Sequence, residues 1–102
     1  MITVLGSINM DLIATVFRLP KPGETLTGDA FNTAPGGKGA NQALAARRAG
    51  AEVVLAGACG EDEFAVPALT HLRYDGVNLD RVRNAPTATG VALIFVGGDG
   101  EN

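Results

Sequence analysis

Cys59 has no second cysteine to pair with, which excludes an internal disulfide and suits a reducing compartment. No basic run exceeds the pair Arg47–Arg48, and the net charge is −3. That balance argues against nucleic acid or an anionic membrane as a main partner. Long apolar stretches are absent too. The longest aliphatic or aromatic run, Val91 to Val96, is far too short to span a bilayer, and no basic segment opens the chain as in a signal peptide. The chain reads as soluble and cytoplasmic. With 46% apolar and 19% charged residues it has a globular composition, and 102 residues suit one small domain or part of a larger one.

Two phosphate signatures are missing from the stretch that most invites them, "PGGKGANQA" at residues 35 to 43. A P-loop needs Gly-Lys followed by Ser or Thr, but Lys38 is followed by Gly39. The dinucleotide fingerprint needs a third glycine where Gln42 stands. Glycines this dense cost backbone entropy, so the loop needs unusual torsions or close approach by another group.

The pattern along the chain predicts strands at Ile2–Gly6, Leu12–Phe17, Leu26–Thr33 (with a bulge at Gly28-Asp29), Val53–Ala56 and Thr89–Val96. It predicts helices at about Ala40–Ala49 and Glu63–Tyr74. The first has small residues for close packing, Arg47 and Arg48 at its negative end, and Gly50 at the C′ position. In the second, Ala65, Ala68, Leu69 and Leu72 recur at helical spacing and Gly76 ends the run. Gly97-Gly98-Asp99-Gly100 has the composition of a hairpin turn, so the chain is expected to be a fragment that stops before the returning strand. The strand–helix–strand–helix order implies a parallel α/β core.

Four segments together carry a resemblance: "GSINMD" (6 to 11), "GGKGANQA" (36 to 43) with Gly50 and Gly60 following at set spacing, "GEDEF" (60 to 64) and "TGVALIFV" (89 to 96). They resemble the ribokinase-like family of sugar kinases, and the lysine in the second segment leans toward its ribose-specific members over fructokinase-like ones. The likeness covers the whole chain, which corresponds to about the first third of such a kinase. It implies a three-layer, Rossmann-like α/β fold with a small β-sheet lid, core segments at about 1–8 and 35–76, and lid segments at about 11–34 and 87–102. It also implies ATP-dependent phosphorylation of the primary 5-hydroxyl of D-ribose, with Mg²⁺ required. Activation by a monovalent cation is left open. A homodimer joined through the lid would be the assembled form.

In the family the glycine loop receives the sugar and ATP binds elsewhere. By that likeness Asn9 and Asp11 hydrogen-bond the sugar's hydroxyls, Gly37, Lys38 and Asn41 add contacts, and Ala92 and Ile94 face the sugar from the lid. A carboxylate can accept from two adjacent hydroxyls at once, and a helix N-terminus offers N–H donors. Lys38 also suits the negative charge of phosphoryl transfer. The family's catalytic aspartate sits in a "GAGD" loop, which nothing in the 102 residues matches; "GACGED" (57 to 62) is only a decoy for it. The chain alone is therefore expected to be inactive.

Plainer readings stand beside these. Asp11 alone reads as a strand-edge carboxylate, Lys38 as a solvated loop lysine and Asn41 as a helix N-cap. Cys59 reads as a buried, inert thiol and His71 as solvent-facing. Glu61, Asp62 and Glu63 suit the positive end of a helix better than a metal. The competing function is a non-catalytic sugar-binding or interaction module, or a kinase of the same family acting on another sugar or nucleoside.

Overall fold

The computed structural model describes residues 1–100. Strand β1 (Ile2–Leu5) passes through Gly6, Ser7 and Ile8 into β2 (Asn9–Thr15), and β3 (Ala30–Gly36) returns antiparallel to β2. Helix α1 (Lys38–Arg48), β4 (Val53–Cys59), α2 (Ala65–Tyr74), β5 (Asn78–Asn84) and β6 (Gly90–Val96) follow. The strands divide into two sheets. One is wholly parallel, in the order β1-β4-β5. The other has the order β3-β2-β6, with β2 parallel to β6.

The first sheet holds the core. Val53, Leu55 and Cys59 point to one face of β4 and join Ala40 and Ala43 of α1 with Ala68, Leu69 and Leu72 of α2 in one buried cluster. Both helices thus cover the same face, and Leu55 at its centre is 0% exposed. The alanines of α1 are what bring its axis close to the sheet, since each removes side-chain bulk from the contact. On the opposite face Leu5 stands 84% exposed. The two helix C-termini are tied together. The Arg47 guanidinium donates to the Asp75 carbonyl at 2.8 Å and the Ala51 carbonyl at 3.1 Å, and Arg48 pairs with the Asp75 carboxylate at 2.6 Å. Gly50, with φ 103°, occupies the left-handed position that the sequence assigns to it.

Several boundaries differ from the sequence expectation. Strand β2 begins at Asn9, three residues before Leu12, so "GSINMD" ends inside a strand. Strand β3 begins at Ala30 and runs through Pro35; residues 26 to 28 lie outside the sheet, and the expected bulge at Gly28-Asp29 is a connection in which the Asp29 N–H donates to the Thr15 carbonyl. Strand β4 extends to Cys59, and α2 begins at Ala65 instead of Glu63. Strand β5 was not expected at all. Residues 97 to 100 do turn, closed by the Gly100 N–H donating to the Gly97 carbonyl at 2.9 Å. Residues 101 and 102, where the sequence expectation has the chain stop before a returning strand, lie outside the described residues.

Candidate sugar site

Side chains alternate across a strand, so residues two apart on β2 share a face. Ile8 and Met10 are buried at 3% exposure, which turns Asn9 and Asp11 to the opposite, half-open face. The register of β6 places Gly90 beside Asn9, Ala92 beside Asp11 and Ile94 beside Ile13. On the other flank Gly36 lies beside Asn9 and Ala34 beside Asp11. Asn9, Asp11, Ala92 and Ile94 therefore stand on one face of the second sheet.

Two glycines make room there. A Cβ on Gly36 would sit 2.5 Å from Asp11 Oδ1, and a Cβ on Gly90 would sit 2.5 Å from Asn9 Oδ1. Each polar side chain is thus laid across a glycine of a neighbouring strand. Neither side chain has a hydrogen bond or ion pair among the described residues. A half-buried carboxylate and carboxamide with no internal partner are competent to accept from, and donate to, hydroxyl groups arriving from outside.

The glycine loop adjoins this face, but its glycines serve the chain's own backbone first. Gly37 has φ 98°, and a Cβ there would meet the Ser7 carbonyl oxygen at 2.6 Å. A Cβ on Gly39 would meet Gly6 C at 2.5 Å. The close approach foreseen from the sequence is made by residues 6 to 8. The Ala40 N–H donates to the Ser7 carbonyl at 3.0 Å, so one of the helix's first amides is already committed. Gly37, not Asn41, is the N-cap of α1. Asn41 lies in the first turn with Lys38 three residues before it, and both are exposed on the same side of the helix.

One cluster escaped the sequence reading. The Asp62 carboxylate accepts from the Thr89 N–H at 2.8 Å and from the Thr89 hydroxyl at 2.7 Å, while the Gly60 N–H donates to Thr89 Oγ1 at 2.9 Å. The Thr89 hydrogen bonds, followed by those from the Phe64 and Ala65 amides, hold the Asp62 carboxyl below the usual carboxylate range. Asp62 accordingly does more than complement the helix dipole, as expected of it. The partners are 27 residues apart, and no local pattern could have paired them. Cys59 is buried, and that burial, with the Asp62 charge second, pushes its thiol up. His71 is exposed. Among the described residues no group of three or more His, Cys, Asp or Glu is placed to hold a metal ion, and no helix is long and apolar enough to cross a membrane.

The family model for pfkB family carbohydrate kinases matches residues 1–102. The chain belongs to the pfkB family of carbohydrate kinases. It is 44% identical to a ribokinase of Bacillus subtilis over 102 residues, 99% of this chain and 34% of that protein. It is 42% identical to a deoxyribokinase of Salmonella typhi, covering 99% of this chain and 33% of the relative. Among solved structures it resembles Arabidopsis thaliana ribokinase complexed with ribose and ATP, with a TM-score of 0.87 and 38% identity over 99% of this chain and 33% of that one. The chain thus spans about a third of the length of these relatives and has the ribokinase fold over that third.

Proposed function

We propose that the chain carries the sugar-binding part of a ribokinase-like enzyme whose whole form transfers a phosphoryl group from ATP to the primary hydroxyl of ribose. The unpartnered pair Asn9 and Asp11, each seated over a glycine on one face of the second sheet, carries this reading. Asp11 accepts from two neighbouring hydroxyls, and Asn9 adds a neutral bond. Gly37, Lys38 and Asn41 complete the contacts from the start of α1, and Ala92 and Ile94 cover the sugar's apolar edge. The second sheet acts as a lid that keeps water from the reacting hydroxyl. In this reading ATP and Mg²⁺ would be held by the part of the whole enzyme that lies outside this chain, where the family resemblance places the nucleotide site and the catalytic aspartate. Bound there, Mg²⁺ would supply neutralisation of phosphate charge, while the residues named above hold the acceptor hydroxyl in line.

Two such chains pair through the lid in this reading, and the enzyme works in the cytoplasm. Ribokinases of several organisms and a deoxyribokinase of Salmonella typhi are both among the relatives, so the 2-hydroxyl is the group to vary. In the full-length protein, ribose and 2-deoxyribose are compared as substrates for Asp11→Ala and the unmodified enzyme. The substitution leaves a sugar hydroxyl unpaired and lowers kcat/KM by about 30- to 1000-fold, or roughly 2–4 kcal/mol. Near-normal kcat/KM on both sugars would overturn the assignment. Sugar binding without ADP release would favour a non-catalytic module.

A further inference from the structure

Thr89 stands out among the buried residues. It is polar, 4% exposed, and every hydrogen-bonding group it has toward Asp62 and Gly60 is used. It is also the residue directly before Gly90, the glycine over which Asn9 lies. The packing behind it leaves no slack: a Cβ on Gly60 would sit 2.3 Å from the Thr87 carbonyl oxygen and 2.5 Å from the Thr89 nitrogen. The tip of β4 and the root of β6 are therefore locked together, and the lock is transmitted to Asn9 through one peptide unit.

We propose that Thr89, held by Asp62 and Gly60, is a positioning residue for the sugar site. It fixes where Gly90 and Ala92 enter the second sheet and so sets how the Asn9 carboxamide stands beside Asp11. The Asp62–Thr89 pair links the two sheets by side chains at a place where the sugar-facing strand leaves the core, so a small displacement there moves one wall of the site against the other. A buried hydroxyl with a charged acceptor holds its geometry more tightly than an apolar contact of the same volume. The role rests on the reading that Asn9 and Asp11 bind the sugar.

The test is steady-state kinetics of the full-length protein with D-ribose and ATP, each varied in turn. Thr89→Val keeps the shape and removes both hydroxyl bonds, so KM for ribose rises about tenfold, the equivalent of one such bond, while kcat and KM for ATP stay within about twofold. Thr89→Ser, which keeps the oxygen, restores KM. Asp62→Asn, at an exposed carboxylate, gives the same rise and decides the matter where Thr89→Val does not fold. A lowered melting temperature with KM for ribose unchanged in both Thr89→Val and Asp62→Asn would mean a purely structural clamp and would overturn the proposal. Asn9→Ala separates the two readings. A weakened Asn9→Ala beside unaffected Thr89→Val sinks only the positioning role, whereas Asn9→Ala and Asp11→Ala both unaffected sink the sugar site itself.

Discussion

Two glycines three positions apart illustrate how different a residue's reasons can be. At Gly36 the space a Cβ would need is taken by the Asp11 carboxylate, a side chain that can swing away; at Gly39 it is taken by the backbone of Gly6. Gly36→Ala should therefore leave the melting temperature of the full-length protein nearly unchanged and weaken ribose binding by pushing Asp11 aside. Gly39→Ala should destabilise the fold by about 1–3 kcal/mol or more, because backbone must move. Calorimetry for stability and titration with ribose distinguish the two; equal effects of both substitutions on both measurements would refute the distinction. The density of glycine announced a close approach in the sequence. What it did not announce was the approaching group, since the contact with Ser7 and Gly6 exists only once β1 and α1 lie side by side.

Among the elements, those with a strong apolar period were legible and those whose period is broken were not. Strand β1 and both helices stand where the pattern put them to within a few residues, and β6 begins at Gly90, one residue past Thr89. Strand β5 reads Asn-Leu-Asp-Arg-Val-Arg-Asn, and its two half-buried positions, Leu79 and Val82, are three apart because its register against β4 shifts between Val54 and Ala56. That shift erases the alternation a reader looks for. The strand expected to end at Thr33 continues through Pro35, because β3 lies at the sheet's edge, where a missing N–H is tolerated. The connection between β2 and β3 is itself organised. Arg18 donates to both carboxylate oxygens of Glu24 at 2.6 Å, the Lys21 N–H donates to Oε1 at 3.0 Å, and the guanidinium lies 5.2 Å from the Phe17 ring centroid. The bond from Arg18, then that from Lys21, lowers the Glu24 carboxyl to about 2. Its folded value lies below the ordinary one of about 4.3, so the pair contributes fully above that pH and is lost as the pH falls toward 2. Hydrogen exchange across residues 18–24 should accelerate between those limits while the α1 and α2 amides stay protected. Glu24→Gln should remove that pH dependence, and uniform exchange across the chain would contradict a local lock.

For the whole molecule, the second sheet pairs a face bearing Asn9 and Asp11 with an apolar one. Opposite Asn9, Asp11, Ala92 and Ile94 it exposes Leu93 at 69%, Phe31 at 66%, Val91 and Phe95. With one edge of β6 unpaired among the described residues, this apolar strand is suited to self-association. The 102-residue chain should therefore scatter light as a dimer or larger species, and Phe95→Lys should shift it toward a monomer near 10 kDa; a monomer unaffected by that substitution would show the face to be inert. The pairing of β2 with β6 has a further consequence, in time instead of space. These neighbours come from opposite ends of the described chain, and everything between them except β3 builds the first sheet and its helices. Closing so long a loop costs entropy that is recovered only once the intervening segment has compacted. In refolding, the parallel sheet with its two helices should therefore form first and β6 should join afterwards, an order that pulse-labelled hydrogen exchange checks by whether β6 amides gain protection later than those of β4. On that order the face that carries Asn9 and Asp11 is the last of the described surfaces to come into existence.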